Sequence, residues 1–343
     1  MSKDTVATAA LATGALALDL PARRRLAEDL LGWGLPRPAD DPALVGDLRA
    51  RLEAGLAEVD GALSEAASAA RGGRLLVTKS ALERLACDGW QRDPKPYAHS
   101  WANARGTLTH LAVEQDWHEA RADTPAAVVG RVWQAEASRR PGDPASLSRW
   151  LNDLPAADAQ CLRDEVTGLL VGFREVWPPL PPGSVQAHVE RPVEVRLAGG
   201  RVVLRGVPDL VLVSPRRDDR ARTLVVDLKT GRPRAQHDRH ELRFYALLVA
   251  LAAGRLPFRW ATFYVTEGRA EVESLRAETL LVTVRRVLDG VAQLVRLADA
   301  PEEDLRLRGG AWCHYCARED TCETAAEARR QQALSQPSGM LGP

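Results

Sequence analysis

The run Thr223-Leu224-Val225-Val226-Asp227-Leu228-Lys229 has the composition of a strand buried on both faces, yet it carries an aspartate and a lysine two positions apart. Side chains alternate along a strand, so Asp227 and Lys229 share a face. Eighteen residues earlier, Gly206-Val207-Pro208-Asp209-Leu210-Val211 sets a second carboxylate in the middle of an apolar strand. A charge in such a place is expensive unless it is paired or holds a metal. The fold must therefore bring these strands together as neighbours.

The surrounding pattern is that of an α/β protein. Val185 to Leu197 and Val202 to Val213 alternate or run apolar on either side of Gly199-Gly200, which predicts a β-hairpin. Asp238 to Ala253 has helical period, Phe258 to Thr266 reads as a strand, Glu267-Gly268 as a turn and Ala270 to Ser274 as a short strand. Leu280 to Leu297 predicts a helix with Val284, Val287, Leu288, Val291 and Leu294 on one face. Upstream, residues 1–72 read as several short amphipathic helices, Asp60 to Arg71 being the clearest. A helix capped by Thr78 or Ser80 runs to Cys87, a loop spans Asp88 to Trp101, and Arg105 to His118 is helical again. Residues 119–177 are mostly helical and Pro178 to Gly183 breaks the pattern. From Glu323 a polar helix gives way to Gln336 to Pro343. The expected architecture is a central mixed β-sheet flanked by helices, with a helical N-terminal region over 1–74, a core over 75–322 that contains a helical insert over 111–184, and a polar tail over 323–343.

With 45% hydrophobic and 27% charged residues, a chain of this length buries one large core or two ordinary ones, which excludes a disordered or fibrous protein. No uninterrupted apolar run reaches the roughly 20 residues of a membrane span, and the uncharged stretch Thr5 to Leu18 stops at Asp19. A soluble, cytoplasmic protein is expected. The formal net charge is zero, but from Arg201 to Arg259 there are 13 basic residues against six acidic ones. That stretch is a candidate for contact with a polyanion.

Asp209 and Asp227, with the Leu228 carbonyl, can hold Mg²⁺ or Mn²⁺ through hard oxygen ligands and leave room for a phosphate oxygen and a water. Lys229 would orient that water, lower its pKa or stabilise charge on the phosphate. The competing reading is a buried Asp209–Lys229 ion pair that only closes the sheet. Of 46 basic residues only four are lysines, Lys3, Lys79, Lys95 and Lys229. A structural pair would accept the fork of an arginine, whereas a compact ammonium beside a reacting phosphate has no such substitute. The chemistry that results is phosphodiester hydrolysis.

Five cysteines, an odd number in a chain without an export signal, argue against a disulfide framework. Cys313-x2-Cys316-x5-Cys322 offers three thiolates in ten residues, a spacing that selects zinc or an iron–sulfur cluster. A fourth ligand is needed, and His314 and His118 are poorly placed to complete a zinc site. Cys161 has no partner pattern and reads as an ordinary buried thiol.

Pro208-Asp209 followed by Asp227-Leu228-Lys229 resembles the PD-(D/E)XK nuclease superfamily, specifically its RecB-type branch. The resemblance implies a restriction-endonuclease-like core. Gly106-Thr107-Leu108-Thr109-His110 is similar to the Gly-x-x-x-His motif of that branch and implies His110 as a metal ligand. Glu241-Leu242-Arg243-Phe244-Tyr245 is similar to its Gln-x-x-x-Tyr motif, which implies Tyr245 as a DNA contact. The departure to Glu241 leaves the role of that position open, since a carboxylate near a phosphate repels unless it touches the metal or pairs with Arg243 or Arg239. The segment around Cys87 is similar to the early cysteine motif of iron–sulfur members, which hold a [4Fe-4S] cluster with one early cysteine and a late C-x2-C-x5-C triplet. Here those are Cys87, Cys313, Cys316 and Cys322, and the cluster would act as a staple across a long loop.

Arg232, Arg234, Arg239 and Arg243, with His237 beside them, follow the catalytic strand and are expected to hold a phosphate backbone. No base-reading motif occurs. The resemblance implies a deoxyribonuclease that leaves 5′-phosphate ends, an exonuclease before an endonuclease, directed at single strands or free ends in recombination, repair or mobile-element defence. No lysine sits in a Gly-x4-Gly-Lys-Ser/Thr loop, so a helicase or another recombination or defence partner would be a separate chain. Two alternatives stay open: a non-catalytic module that keeps the fold and cluster as a scaffold for DNA or a partner, and a zinc-stapled RNA-processing enzyme.

Overall fold

The computed structural model describes residues 21–32, 35–118, 121–140, 146–178, 185–215 and 219–335. The Thr5 to Leu18 stretch, the Pro178 to Gly183 break beyond Pro178 and the tail from Gln336 lie outside the described residues. The strands are β1 (Leu75–Val77), β2 (Gln186–Val189), β3 (Val193–Leu197), β4 (Val202–Gly206), β5 (Leu210–Val213), β6 (Thr223–Lys229), β7 (Pro257–Tyr264) and β8 (Arg269–Ser274). The α-helices are α1 (Pro21–Leu31), α2 (Pro42–Ala57), α3 (Asp60–Ala69), α4 (Lys79–Arg84), α5 (Asp88–Arg92), α6 (Trp101–His118), α7 (Pro125–Ala137), α8 (Leu147–Asn152), α9 (Ala156–Val176), α10 (Ala235–Ala253), α11 (Ala277–Ala298) and α12 (Glu323–Ser335). No helix among the described residues is long and apolar enough to cross a membrane. The chain divides into two compact units, one of residues 1–46, 98–193 and 207–280, the other of residues 47–97, 194–206 and 281–343.

The first unit is built on a five-stranded mixed sheet in the order β2-β5-β6-β7-β8. Its central strand β6 is buried from Thr223 to Leu228, as its unbroken apolar run requires. Only β6 and β7 run parallel, and the intervening α10 supplies the crossover that a parallel pair needs. Helix α9 reaches the sheet through aromatic side chains. Phe173 stacks on Trp177 with centroids 5.3 Å apart, and both meet Phe263 of β7 edge-on. Helix α6 is tied to α9 by the buried Asp116, which accepts both Nε and Nη2 of Arg174.

The expected hairpin is cut in two. Its outer halves, β2 and β5, pair antiparallel with Val189 opposite Leu210, whereas its inner halves, β3 and β4, join β1 in a separate three-stranded sheet of order β1-β4-β3. The breaks fall at Glu190-Arg191-Pro192 and Val207-Pro208, where a proline cannot donate to the ladder. One consequence is that Asp209 lies just before β5 rather than in the middle of a strand.

In the second unit α11 buries Val284, Val287 and Val291, and Gly290 lets it approach α4 closely. A Cβ at Gly290 would stand 2.4 Å from a methyl of Leu82. Thr78 caps α4 as expected, its hydroxyl accepting Ala81 N at 3.1 Å. The helix ends at Arg84, short of Cys87, and a further short helix, α5, occupies residues expected to be loop. Its first residue, Asp88, is 1% exposed and accepts from Gln293 Nε2 at 2.8 Å, Arg296 Nη2 at 2.5 Å and Arg306 N at 2.8 Å. Those bonds hold the Asp88 carboxyl below the usual carboxylate range in spite of burial. Asp88→Ala leaves the guanidinium and the Arg306 amide without their acceptor and should cost about 3 kcal/mol. A urea melt checks this, and an unmoved midpoint would contradict it.

Candidate active site

Strands β5 and β6 bring Asp209 and Asp227 together. Asp209 Oδ2 accepts the Leu228 N–H at 2.5 Å, a bond that ties the end of one strand to the next. Its Oδ1 lies 3.3 Å from His110 Nδ1, and Glu190 Oε1 lies at the same distance from the same nitrogen. One donor atom each of His110, Glu190 and Asp209 falls within 4.8 Å of the others. The sequence reasoning missed Glu190. It stands at the break after β2 with φ +46°, a left-handed backbone rarely adopted by a residue with a side chain, and its N–H donates to Asp209 O at 2.9 Å. The available signal was a carboxylate directly before Arg191-Pro192, where the strand must stop.

Helix α6 delivers His110. One turn earlier, Gly106 faces the segment just past Lys229, and a Cβ there would meet Thr230 Oγ1 at 3.2 Å. A glycine four residues before the histidine thus lets the helix come close enough to β6 for the imidazole to reach the carboxylates.

Lys229 Nζ lies 2.7 Å from Asp227 Oδ2 and 2.9 Å from Glu241 Oε2. Glu241 is 6% exposed and has the lysine as a partner, while Arg243 and Arg239 reach Glu273. Burial pushes the Lys229 pKa down, but Asp227 and Asp209 outweigh it and the net shift is upward. The two carboxylates beside Lys229 favour its ammonium form. Tyr245 is 2% exposed, and burial together with Asp227, Asp209 and Glu190 drives its phenol above the ordinary range. It lines the carboxylate cluster as a neutral, buried group. Arg243 forms a two-pronged pair with Glu273 of β8, at 2.8 and 2.9 Å, whereas Arg232, Arg234 and Arg239 are exposed on the loop and first turns after β6.

An imidazole and two carboxylates converging beside Asp227 suit Mg²⁺ or Mn²⁺. Burial pushes the His110 pKa down, but Asp209 and Glu190 raise it to about 10. A metal bound at His110 must displace that proton. Mn²⁺ affinity should thus rise about tenfold per pH unit through neutrality, with proton release detectable by calorimetry in buffers of different ionisation enthalpy. An affinity that does not change with pH would remove His110 from the ligand set.

In the second unit Cys87, Cys313, Cys316 and Cys322 line a single cavity, with Trp90, Leu307 and Trp312 among its other walls. Backbone amides point at the sulfurs: Arg308 N donates to Cys87 Sγ at 3.4 Å and Gly310 N to Cys313 Sγ at 3.3 Å. The early segment is zipped to the late one, with Lys95 N donating to Tyr315 O at 2.8 Å and Ala317 N to Asp93 O at 2.9 Å. Burial pushes the Cys316 thiol up, as do Cys87 and Cys322 beside it. Among the described residues no three of these sulfurs lie within 4.8 Å of one another. Cys161, expected to be buried, is exposed on α9, its Sγ 4.0 Å from Glu165 one turn on. The apolar stripe of that helix, through Leu162, Val166 and Leu170, faces elsewhere.

No curated protein compared with this chain matches it. Among solved structures, one described as "Crystal structure of SSO0001" is 17% identical, with 78% of this chain and 94% of that chain covered, at a TM-score of 0.30. The sequence model of the PD-(D/E)XK nuclease superfamily matches residues 81–323. That span includes every residue of the carboxylate and cysteine clusters described above. The chain belongs to the PD-(D/E)XK nuclease superfamily, and with it to the metal-dependent nucleases that hydrolyse DNA.

Proposed function

We propose that this nuclease is of the RecB type, cuts single-stranded DNA or works inward from DNA ends, and carries a structural [4Fe-4S] cluster in its second unit. The observation that carries the catalytic part is the convergence of His110, Glu190 and Asp209 at the strand ends that also carry Asp227 and Lys229. His110, Glu190, Asp209 and Asp227, with the Leu228 carbonyl, would hold a Mg²⁺ or Mn²⁺ ion. When bound, that ion supplies a Lewis acid for the phosphate and lowers the pKa of a water. The chain's own contribution is positional and electrostatic. Asp209 is fixed by the Leu228 amide, and Asp227 holds the Lys229 ammonium at the strand end. Charged Lys229 stabilises negative charge that develops on the phosphate. Arg232, Arg234 and Arg239 offer exposed cations to the phosphate backbone and no shape for reading bases. Sequence-nonspecific cutting with 5′-phosphate products follows.

Four cysteines around one cavity, with amides aimed at two of the sulfurs, suit a cluster ligated by thiolates. Zinc is the weaker fit. Zn–S bonds of about 2.3 Å draw four sulfurs into one tight tetrahedron, and among the described residues no three of these sulfurs lie within 4.8 Å of one another. A role in recombination, repair or mobile-element defence would suit an enzyme that recognises ends instead of sequence.

Paired substrates test the end preference. Linear single-stranded DNA should be degraded and a covalently closed circle of the same sequence left intact. Equal cutting of both would make the protein an endonuclease.

A further inference from the structure

A second group of ligating side chains lies beside the first and is not used by it. His237, Asp238 and Glu241 sit on the first two turns of α10, and one donor atom from each falls within 4.8 Å of the others. His237 and Glu241 are one turn apart on the same face, with Nε2 and Oε2 3.8 Å from each other. The acids are not solvated surface carboxylates, since Asp238 is 2% exposed and Glu241 6%. Asp238 is held rigidly, its Oδ2 accepting from Arg234 N at 2.8 Å and Tyr264 Oη at 3.1 Å. Its buried Oδ1 accepts no hydrogen bond among the described residues, the Arg234 guanidinium standing off at 3.9 Å. A buried carboxylate oxygen left in that state is costly, and a cation is the partner that relieves it.

We infer that His237, Asp238 and Glu241 form a second divalent-cation site, suited to a transition metal such as Mn²⁺ or Zn²⁺. An imidazole with two carboxylates is a donor set that such metals accept. The N-terminus of α10 opposes a cation with roughly half a unit of positive charge, which two carboxylates outweigh. This position carries glutamate where the similar Gln-x-x-x-Tyr motif has an amide, and a carboxylate is the better ligand for a cation. The site reaches the catalytic group directly, because Glu241 Oε2 is also 2.9 Å from Lys229 Nζ. An ion here shares that carboxylate with the ammonium and loosens Lys229 from Glu241, leaving it to Asp227 and the substrate. Metal supply then sets how firmly the catalytic lysine is held. Binding of the ion does not depend on what the first site cleaves.

Equilibrium dialysis of the purified protein against Mn²⁺, with manganese counted per chain by elemental analysis, tests this. The expected result is two ions in the parent and one in each of His237→Ala, Glu241→Gln and Asp209→Asn. His237 is partly exposed and Glu241→Gln nearly preserves shape, so both variants should fold. A single ion in the parent that is lost in Asp209→Asn and kept in His237→Ala overturns the second site and leaves the nuclease reading intact. Two ions retained in both α10 variants overturn it equally. A single ion lost in His237→Ala and kept in Asp209→Asn upholds the second site and counts against the first.

Discussion

Replacing Lys229 with alanine is expected to slow DNA cleavage by about 10²–10³-fold, the loss usual when one stabiliser of transition-state charge is removed. The ammonium stands at the partly buried end of an otherwise buried strand, with Asp227 at 2.7 Å and Glu241 at 2.9 Å. Held between two carboxylates, it places positive charge at a defined point. Lys229→Arg should fail to restore the rate. A guanidinium keeps the charge and can pair with the carboxylates, but it spreads that charge over a planar fork and does not place it at one point beside the phosphate. Single-turnover rates on labelled single-stranded DNA check both variants. An alanine variant within threefold of the parent would show that Lys229 serves only to close the sheet.

Replacing Cys316 with serine should remove iron and lower the melting temperature by on the order of 10 °C, because ligand binding at a structural site is folding free energy. Cys316 is 7% exposed, packs with Trp90 and Cys87, and forms a bridge to Pro94. The strand-like contact between residues 93–95 and 315–317 therefore sits on the same residue that would ligate the cluster. Without a cluster, a cavity remains where that contact should be braced. Iron per chain, absorbance near about 400 nm and a melting curve are the measurements. A colourless parent that binds zinc would refute the cluster, and lost activity with an unchanged melt would refute the staple.

What the sequence showed of this molecule depends on the range of the interactions involved. Strand β6 was legible because an apolar run containing Asp227 and Lys229 has few other places to go, and α10 because its period is local. His110 was legible only through the motif that Gly106 to His110 resembles, because the group Gly106 makes room for, Thr230, lies far along the chain. Glu190 was hidden because a glutamate in an alternating strand looks like a solvent-facing residue. Only the pairing of Val189 with Leu210 and the left-handed turn that follows bring it to Asp209. The pairing of Arg243 with Glu273 joins residues 30 apart and was equally invisible, so an arginine expected at DNA is occupied by β8. Tyr245 lies one turn from Glu241, and its burial among carboxylates depends on how α10 packs on the sheet. The single hairpin was misread for a physical reason already present in the residues, since Pro192 and Pro208 forbid a continuous ladder.

The central claim is that Asp209, Asp227 and Lys229 make a metal-dependent DNA nuclease. Its most direct test is to incubate anaerobically purified protein with Mn²⁺ and labelled single-stranded DNA, beside Asp227→Ala and Lys229→Ala prepared in the same way. The predicted result is cleavage by the parent that stops on chelation and falls by at least about 10²-fold in both variants. A parent that cuts no faster than either variant would contradict the account.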